Sequence, residues 1–288
     1  MESNNSYQKR IVQYEKIHSI NEDDFETMVK AIDPQNDQVI LDACCGYGAV
    51  SKRLQQKIRS LGLNTKLVLL DNSPLQLSRA KENFKDSENV EFFEADATNT
   101  GFEDESFDTI ANKMGLHEVP LDLQESMLKE FYRILKQDGE IIIWELALSE
   151  DTQHIFSKII QKKDELAGFD SLVRNRYFPK KQDILTLLSK AGFKNAHVVS
   201  GVYPTLSIRN RKEEFVSADR LRILEEKGFL DQEDEKELDR ISEQKISTLL
   251  DFIRQELTEE EKKIMGYEDT GNDITLQAQK AIFIASKN

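Results

Sequence analysis

Short apolar runs alternate with longer amphipathic segments along most of this chain of 288 residues. Five of the runs are compact and rich in strand-forming residues, and they span 39–45, 66–72, 90–96, 107–114 and 140–148. Each of them predicts a buried strand. Continuous apolar strands separated by helical segments indicate a mostly parallel sheet that is covered on both faces. The pattern therefore predicts a doubly wound α/β domain.

The segments between these strands carry helix signals at their ends. A helical pattern begins at residue 49 and closes at Gly62, which suits a helix C-terminus. Ser73 followed by Pro74 is a capping residue with proline at the first helical position. Further helices are predicted over 151–166, over 180–191 and over 121–135, the last of which Gly139 should end.

The pattern becomes less regular towards the C-terminus. Residues 195–207 predict a sixth strand and residues 274–287 a seventh. The charged stretch between them keeps apolar residues mostly at helical spacing, as in Leu238, Ile241 and Leu249. That connection is far longer than two neighbouring strands need. It therefore predicts a helical insert.

These patterns divide the chain into three predicted parts. Residues 1–36 are expected to form an N-terminal helical lid, although their aromatic side chains suit an ordinary amphipathic helix equally well. Residues 37–207 and 273–288 are expected to form the ligand-binding domain. Residues 208–272 are the helical insert, for which we expect a role as a cap over the ligand or as a homodimer contact.

Composition and charge narrow the class of protein. Hydrophobic residues make up 39% and charged residues 32%, which allows a sizeable core under a solvated surface. A formal net charge of −14 argues against a broad nucleic-acid surface, so a small molecule is the expected partner. No apolar run is long enough to span a membrane, and the polar start of the chain lacks a secretory signal. A cytoplasmic location is therefore expected.

Two neighbouring cysteines, Cys44 and Cys45, are the only cysteines in the sequence. They cannot build a disulfide framework, and a lone pair lacks the further ligands of a zinc site. We interpret them as packing residues and expect no metal. A strained disulfide between the two neighbours is the alternative.

The turn after the first predicted strand indicates a ligand site. Gly46 and Gly48 let the main chain bend sharply and approach a ligand without an intervening Cβ. Asp42, Asp71 and the Asp96–Ala97 pair end the first three strands. The carboxylate of Asp71 suits a ribose diol, and the Asp96–Ala97 pair suits an adenine amino group. Together these strand ends predict a cradle for a nucleoside.

A dinucleotide enzyme shares the glycine turn and the acidic residue of the second strand. Its fingerprint has a third glycine, but Ser51 occupies that position here. Asp42 would also lie unfavourably close to two phosphates. A cationic ligand without phosphate, such as S-adenosylmethionine, suits this turn better.

In these features the chain resembles the class I S-adenosylmethionine-dependent methyltransferases, of the type that includes the quinone-ring methyltransferases. The matching segments are 39–48, 67–73, 92–119 and 127–145. The resemblance implies a Rossmann-like seven-stranded sheet, mostly parallel, with a reversed last strand that pairs with the sixth. It also implies S-adenosyl-L-methionine as cofactor. The residues expected to bind it are Asp42, Ala43, Cys44, Gly46, Gly48, Asp71, Asn72, Asp96, Ala97, Asn112 and Lys113.

The expected reaction is methyl transfer to a small quinone-like or secondary-metabolite acceptor by in-line displacement. A general base is needed only where the acceptor must first lose a proton. His117, which follows the fourth strand, is the candidate for that base, with Glu118 and Glu145 as weaker candidates.

Other branches of the family fit less well. The fourth strand lacks the Asn-Pro-Pro-Tyr type of run that stacks a flipped base, which argues against DNA methylation. Asn112 and Lys113 stand where a metal-dependent catechol enzyme would place carboxylates.

Six residues are expected to contact the acceptor: Tyr14, Met114, His117, Arg174, Arg176 and Tyr177. Surface ion pairs are the simpler interpretation of the two arginines. Two alternative functions stay open from the sequence. One is a non-catalytic cofactor-binding interaction protein, and the other is an NAD-dependent oxidoreductase.

Overall fold

The computed structural model describes residues 22–169, 177–202 and 205–288. These residues form two compact units. The sheet unit consists of residues 22–147, 179–202 and 280–288. The helical unit consists of residues 148–169, 177–178 and 205–279.

The strands of the sheet unit are β1 (Val39–Ala43), β2 (Lys66–Asp71), β3 (Val90–Glu94), β4 (Phe107–Lys113), β5 (Leu135–Leu146), β6 (Lys194–Val202) and β10 (Lys280–Ser286). They form one seven-stranded sheet in the order β3-β2-β1-β4-β5-β10-β6. Neighbours from β3 to β5 are parallel, whereas β10 runs antiparallel to both β5 and β6. The predicted fold, with its reversed last strand beside the sixth, is confirmed.

The helices of the sheet unit are α1 (Glu22–Ala31), α2 (Ala49–Leu61), α3 (Pro74–Asn83), α4 (Leu121–Ile134) and α6 (Lys181–Ala191), with a 3-10 turn at Leu116–Glu118. Apolar residues of β5 alternate between two cores: Ile141 and Ile143 pack in one, and Ile142 and Trp144 in the other. Successive side chains of a strand point to opposite faces, so both faces of the sheet are buried. This explains why the strands appear in the sequence as unbroken apolar runs.

Boundaries differ from the prediction at the junction between α4 and β5. The helix ends at Ile134 and the strand begins at Leu135, so Gly139 lies inside the strand and does not end the helix. A Cβ at Gly139 would stand 2.8 Å from the Leu135 side chain and 2.9 Å from the Asp108 carbonyl oxygen. Glycine is therefore required here by close packing of the strand.

The elements of the helical unit are α5 (Glu150–Leu166), β7 (Thr205–Ser207), a 3-10 turn (Arg209–Arg211), α7 (Lys212–Phe215), α8 (Ser217–Lys227), α9 (Gln232–Glu256), α10 (Glu259–Ile264), β8 (Glu268–Asp269) and β9 (Ile274–Gln277). The three short strands form an antiparallel sheet in the order β7-β9-β8. Each of the last two predicted strands is therefore split. Residues 195–207 become β6 and β7, and residues 274–287 become β9 and β10.

The break between β9 and β10 has a local cause. The Gln277 N–H donates to the Met265 carbonyl, and the Gln279 side chain accepts from the Ser149 N–H, so both residues are held within the helical unit. The residue pattern in the sequence stays strand-like across this point. The break therefore depends on these tertiary contacts, which the sequence does not show.

Buried ion pairs tie α5 to α7. Lys163 pairs with its neighbour Asp164 at 2.9 Å and with Glu214 of α7, which Arg211 also contacts. This helix was predicted within the ligand-binding domain, whereas the structure groups it with residues 205–279. The role of the insert as a cap or homodimer contact stays a prediction. Across the described ranges no helix combines the length and apolar character that crossing a bilayer requires.

Candidate functional site

The carboxyl ends of β1, β2 and β4 meet at one edge of the sheet, where ligands bind in open α/β folds. The register pairs Ala43 with Leu70 on one side and with Asn112 on the other. The residues that follow these strands are therefore brought together, although they are far apart in the sequence.

The glycine turn is bound to the end of β2. The Gly46 N–H donates to Asp71 Oδ2 at 2.8 Å, and the Cys45 N–H donates to the Leu70 carbonyl at 3.0 Å. Gly46 and Gly48 have φ angles of 55° and 82°, a region that favours glycine. A Cβ at Gly48 would lie 2.8 Å from the Phe84 ring, whereas one at Gly46 would meet no atom of the described residues within 4 Å. The turn thus needs Gly48 for packing and leaves open space at Gly46.

Asp71 organises two turns at once. Its second oxygen, Oδ1, accepts from the Ser73 N–H at 2.9 Å, which fixes the start of α3. Burial raises the pKa of this carboxyl, and hydrogen bonds from the backbone of Gly46, Ser73 and Asn72 oppose the shift. The carboxylate lies at the end of β2, where the sequence predicts a partner for a ribose diol.

Asp42 is bound by a residue that the sequence analysis treated only as a missing glycine. Ser51 donates to Asp42 Oδ2 through its hydroxyl at 2.6 Å and through its N–H at 3.2 Å. Burial raises the pKa of Asp42 to about 6, and the hydrogen bonds from Ser51 oppose the shift. This carboxylate fixes the first turn of α2 to β1. Because Ser51 already donates to Oδ2, we expect Asp42 to attract a cation through the electrostatic field of its buried charge.

The end of β3 is held by a local turn. Asp96 Oδ1 accepts from the Thr98 N–H and from the Thr98 hydroxyl, both at 2.8 Å. Asp96 is exposed and Ala97 is buried. An exposed acid beside a buried small residue is compatible with the predicted contact to an adenine edge.

Asn112 carries the clearest sign of an incomplete site. Its side chain is 0% exposed, and its Nδ2 donates to the Ala43 carbonyl at 2.9 Å. Among the described residues its Oδ1 has no hydrogen-bond partner. A buried amide oxygen without a partner costs free energy, so a bound donor would complete it.

Gly115 is a site residue that the sequence analysis missed. A Cβ there would lie 2.5 Å from Asn112 Nδ2 and 2.8 Å from the Cβ of Cys44. The turn after β4 therefore touches the turn after β1 without room for a side chain. Cys44 and Met114, on the two turns, both adopt left-handed φ angles of 58° and 55°. Left-handed backbone in residues other than glycine is a feature of functional turns, and it offered no signal in the sequence.

Both cysteines are free thiols in the structure. Burial is the main cause that raises the pKa of each, and nearby Asp71 and Asp42 add to it. Thiols in such surroundings are poor nucleophiles. The structure supports the interpretation of Cys44 and Cys45 as packing residues and gives no support to a disulfide between them.

Lys113, at the end of β4, points its ammonium group over the ring of Phe25 in α1, 4.1 Å from the ring centre. Its positive charge also opposes the burial that raises the pKa of Asp42. The predicted cofactor residue Lys113 thus connects α1 to the carboxyl end of β4.

His117 lies between two carboxylates. Its Nδ1 is 2.8 Å from Glu145 Oε1, and its Nε2 is 3.2 Å from Glu118 Oε1. The His117 N–H also donates to Glu145 Oε2 at 3.2 Å. Burial lowers the pKa of His117, but the charges and hydrogen bonds of the two carboxylates outweigh it and raise the pKa above its usual value. When the ring is protonated, both of its nitrogens can donate to these carboxylates.

The remaining predicted contacts are less informative. Tyr14, Arg174 and Arg176 lie outside the described residues, and Tyr177 is half-buried in the helical unit. No group of three or more His, Cys, Asp and Glu side chains suitable for a metal ion occurs in the part of the chain that the structure describes.

Comparisons with known proteins agree on one family. A methyltransferase-domain family model matches residues 40–139. The chain is 31% identical over 189 residues to a demethylmenaquinone methyltransferase of Staphylococcus saprophyticus. This match covers 60% of this chain and 77% of that protein. The chain is 29% identical over 196 residues to the ubiquinone/menaquinone biosynthesis C-methyltransferase UbiE of Rickettsia prowazekii, covering 63% and 77%.

Solved structures share the fold at lower identity. A Bacillus halodurans protein described as a methyltransferase matches with a TM-score of 0.67 at 19% identity, covering 92% of this chain and 99% of that one. A Haemonchus contortus phosphoethanolamine N-methyltransferase, in complex with S-adenosylhomocysteine, matches with a TM-score of 0.52 at 18% identity. That match covers 91% of this chain and 52% of the other.

Proposed function

Because this chain belongs to the class I S-adenosylmethionine-dependent methyltransferases, we propose that it methylates a small quinone-like acceptor by in-line displacement. Its activity as an S-adenosylmethionine-dependent methyltransferase follows from the family. The two alternatives, an NAD-dependent oxidoreductase and a non-catalytic interaction protein, are set aside for that reason. The acceptor class and the assignment of residues are our proposal.

One observation carries the assignment of the cofactor site. The buried Asn112 Oδ1, without a partner among the described residues, lies on the strand next to β1 and its glycine turn. A cationic, amino-bearing ligand would supply the missing donor, and the open space at Gly46 admits a ligand against the main chain. The residues present therefore fit S-adenosylmethionine.

We assign the contacts as follows. Asp71 and Asn72 would hold the ribose diol, and the Asp96–Ala97 pair the adenine. The main chain at Ala43, Cys44, Gly46 and Gly48, together with Asn112 and Lys113, would hold the methionine part. Asp42 would act on the cation through its buried negative charge.

When bound, S-adenosylmethionine supplies a methyl group on a positively charged sulfur. The residues of the site then need to hold the acceptor in line with that methyl group and to exclude water. Alignment of this kind contributes about 7–11 kcal/mol to lowering a barrier. Met114 and His117, which follow β4, are proposed to contact the acceptor.

The names of two relatives support a quinone-like acceptor: demethylmenaquinone methyltransferase and ubiquinone/menaquinone biosynthesis C-methyltransferase. A hydroquinone ring is electron-rich, which makes it a suitable nucleophile once a hydroxyl is ionised. The proposal is therefore transfer to a reduced quinone.

Calorimetry with S-adenosylhomocysteine and transfer of radiolabelled methyl to reduced naphthoquinones test this proposal. We expect saturable cofactor binding and labelled product. Asp71→Ala should weaken S-adenosylhomocysteine binding by about tenfold or more, the value of hydrogen bonds to a charged group. Asp86→Ala, at an exposed position, is the control. Binding without transfer to any reduced quinone would contradict the acceptor class, and unchanged binding in Asp71→Ala would contradict the site.

A further inference from the structure

A second buried amide lies close to the proposed cofactor site. Gln76, in the first turn of α3, is only 2% exposed. Within the described ranges its Oε1 has no hydrogen-bond partner. Buried polar groups nearly always have a partner, and a buried oxygen without one costs free energy. A bound ligand that brings a donor to this oxygen would remove that cost.

Hydrogen bonds fix Gln76 beside the acid proposed for the ribose. Asp71 Oδ1 accepts from the Ser73 N–H at 2.9 Å, and the Ser73 hydroxyl oxygen accepts from the Gln76 N–H at 3.4 Å. A serine cap of this kind fixes the first turn of a helix. Two consecutive hydrogen bonds therefore tie the backbone of Gln76 to the carboxyl end of β2.

The turn proposed for the adenine adjoins the same acid. The Ala95 N–H donates to the Asp71 carbonyl at 3.2 Å, and Asp96 and Ala97 follow directly. Helix α3 packs against both β2 and β3, the strands that these two turns follow. The start of α3 and the end of β3 are thus both bonded to Asp71. A ligand whose ribose binds Asp71 would have its base near both.

We infer that the Gln76 side chain accepts a hydrogen bond from the exocyclic amino group of the adenine and thereby selects a 6-amino purine. The inference rests on the proposed function, which assigns the ribose to Asp71 and the adenine to the Asp96–Ala97 pair. It adds to that site a residue outside the strand ends and the glycine turn.

The donors of S-adenosylmethionine single out this group. Its ribose hydroxyls are assigned to Asp71 and Asn72, and its ammonium group belongs to the methionine part near Asn112. The exocyclic amino group is the remaining donor and carries two hydrogens, of which one is assigned to Asp96. An amide oxygen is a suitable acceptor for the other, as in the pairing of glutamine with adenine in protein–DNA complexes.

Calorimetry with two ligands tests the inference. S-adenosylhomocysteine carries the amino group, and its purine-riboside analogue has a hydrogen atom in that place. Wild type should bind the analogue more weakly. Gln76→Met keeps the length of the side chain but removes its acceptor, so S-adenosylhomocysteine should bind about three- to tenfold more weakly, the value of one neutral hydrogen bond. The affinity of this variant for the analogue should stay within about twofold of wild type, because the contact is already absent there.

Gln124→Met is the matched control. Gln124 is also a buried helical glutamine, at 0% exposure, but it lies in α4, and its Nε2 donates to the Val119 carbonyl at 3.1 Å. This variant should preserve the wild-type ratio of the two dissociation constants. A ratio that changes as much in Gln124→Met as in Gln76→Met would overturn the specific role of Gln76.

Stability without ligand separates this role from a structural one. Because Gln76 Oε1 lacks a partner within the described residues, a methionine of similar size should leave the free energy of unfolding in urea unchanged or raise it. A clear loss of stability in Gln76→Met would show that the amide serves the fold, and it would overturn the inference.

The remaining outcomes distinguish this inference from the proposed site. Equal weakening of both ligands by Gln76→Met, or no weakening of either, would overturn the contact to the amino group while leaving the cofactor site intact. If Asp71→Ala binds S-adenosylhomocysteine as tightly as wild type, the proposed site itself fails, and the role of Gln76 fails with it.

Discussion

The Ser51 hydroxyl donates a 2.6 Å hydrogen bond to the buried carboxylate of Asp42 and so fastens the first turn of α2 to β1. In a dinucleotide fingerprint this position carries glycine, for close packing of helix and strand. Here a small polar residue occupies it and satisfies a buried acid. The pair therefore joins the two elements, β1 and α2, that the glycine turn connects.

Ser51→Ala tests how much this hydrogen bond contributes to the stability of the fold. Asp42 would keep the Ser51 N–H but lose the hydroxyl, and a buried carboxylate short of a donor costs about 1–3 kcal/mol. We expect that loss in the free energy of unfolding, measured with urea. S-adenosylhomocysteine should also bind more weakly. Ser60→Ala on the same helix removes only an exposed hydroxyl bonded to the Lys57 carbonyl, and it should be neutral. Equal effects of the two variants would refute this role of Ser51.

The pH dependence of stability should report Asp42. Burial raises its pKa from 3.8 to about 6, so the folded protein binds this proton more tightly than the unfolded chain. Stability therefore falls as the pH rises from 3.8 to about 6, by about 3 kcal/mol for a shift of this size. Asp42→Asn should remove the part of that decline that Asp42 contributes, so the variant should lose less stability than wild type over this pH range. Urea unfolding at pH 4 and pH 7 measures it, with Asp138→Asn at an exposed position of β5 as control. A decline as large in Asp42→Asn as in wild type would assign it to other groups.

Gly115→Ala should disturb the junction of the two turns. The added Cβ would stand 2.5 Å from Asn112 Nδ2, so Asn112 or Cys44 must move. Overpacking of this kind costs about 1–3 kcal/mol, and weaker binding of S-adenosylhomocysteine should accompany it. Gly201→Ala in β6, where a Cβ would meet no atom within 4 Å in the part of the chain that the structure describes, should change cofactor binding little. Normal binding by Gly115→Ala would show that the turn tolerates displacement.

Thiol titration should find the two cysteines protected. Their raised pKa values leave little thiolate at neutral pH, and Cys45 is buried. In denaturant, Ellman's reagent should detect two thiols per chain, and in the native protein both should react far more slowly. Detection of fewer than two thiols in denaturant without reductant would indicate the disulfide.

The sequence predicts the fold well because both faces of the sheet are buried. Strands such as β1 and β5 therefore form apolar runs that stand out from the helices around them. The acidic strand ends and the glycine turn are equally visible, since each depends on residue type at one local position. These features identified the ligand edge of the sheet.

Features that depend on contacts distant in the sequence could not be predicted. Nothing in the sequence indicates that Ser51 bonds to Asp42. Nor does the sequence indicate that Gly115 lies against Cys44. The position of His117 between two carboxylates depends on β5 lying beside β4, which brings Glu145 next to the turn. Residue types alone suggested a histidine base, and the structure adds that this histidine lies between two carboxylates.

The reversed strand β10 also bears on how the chain is made. It lies between β5 and β6, so the sheet has a gap at this place until the last of its strands is synthesised. Until then, β5 and β6 each present an unpaired strand edge, the kind of surface that promotes aggregation of nascent chains. Ribosome-bound chains that stop before residue 280 should thus depend on chaperones.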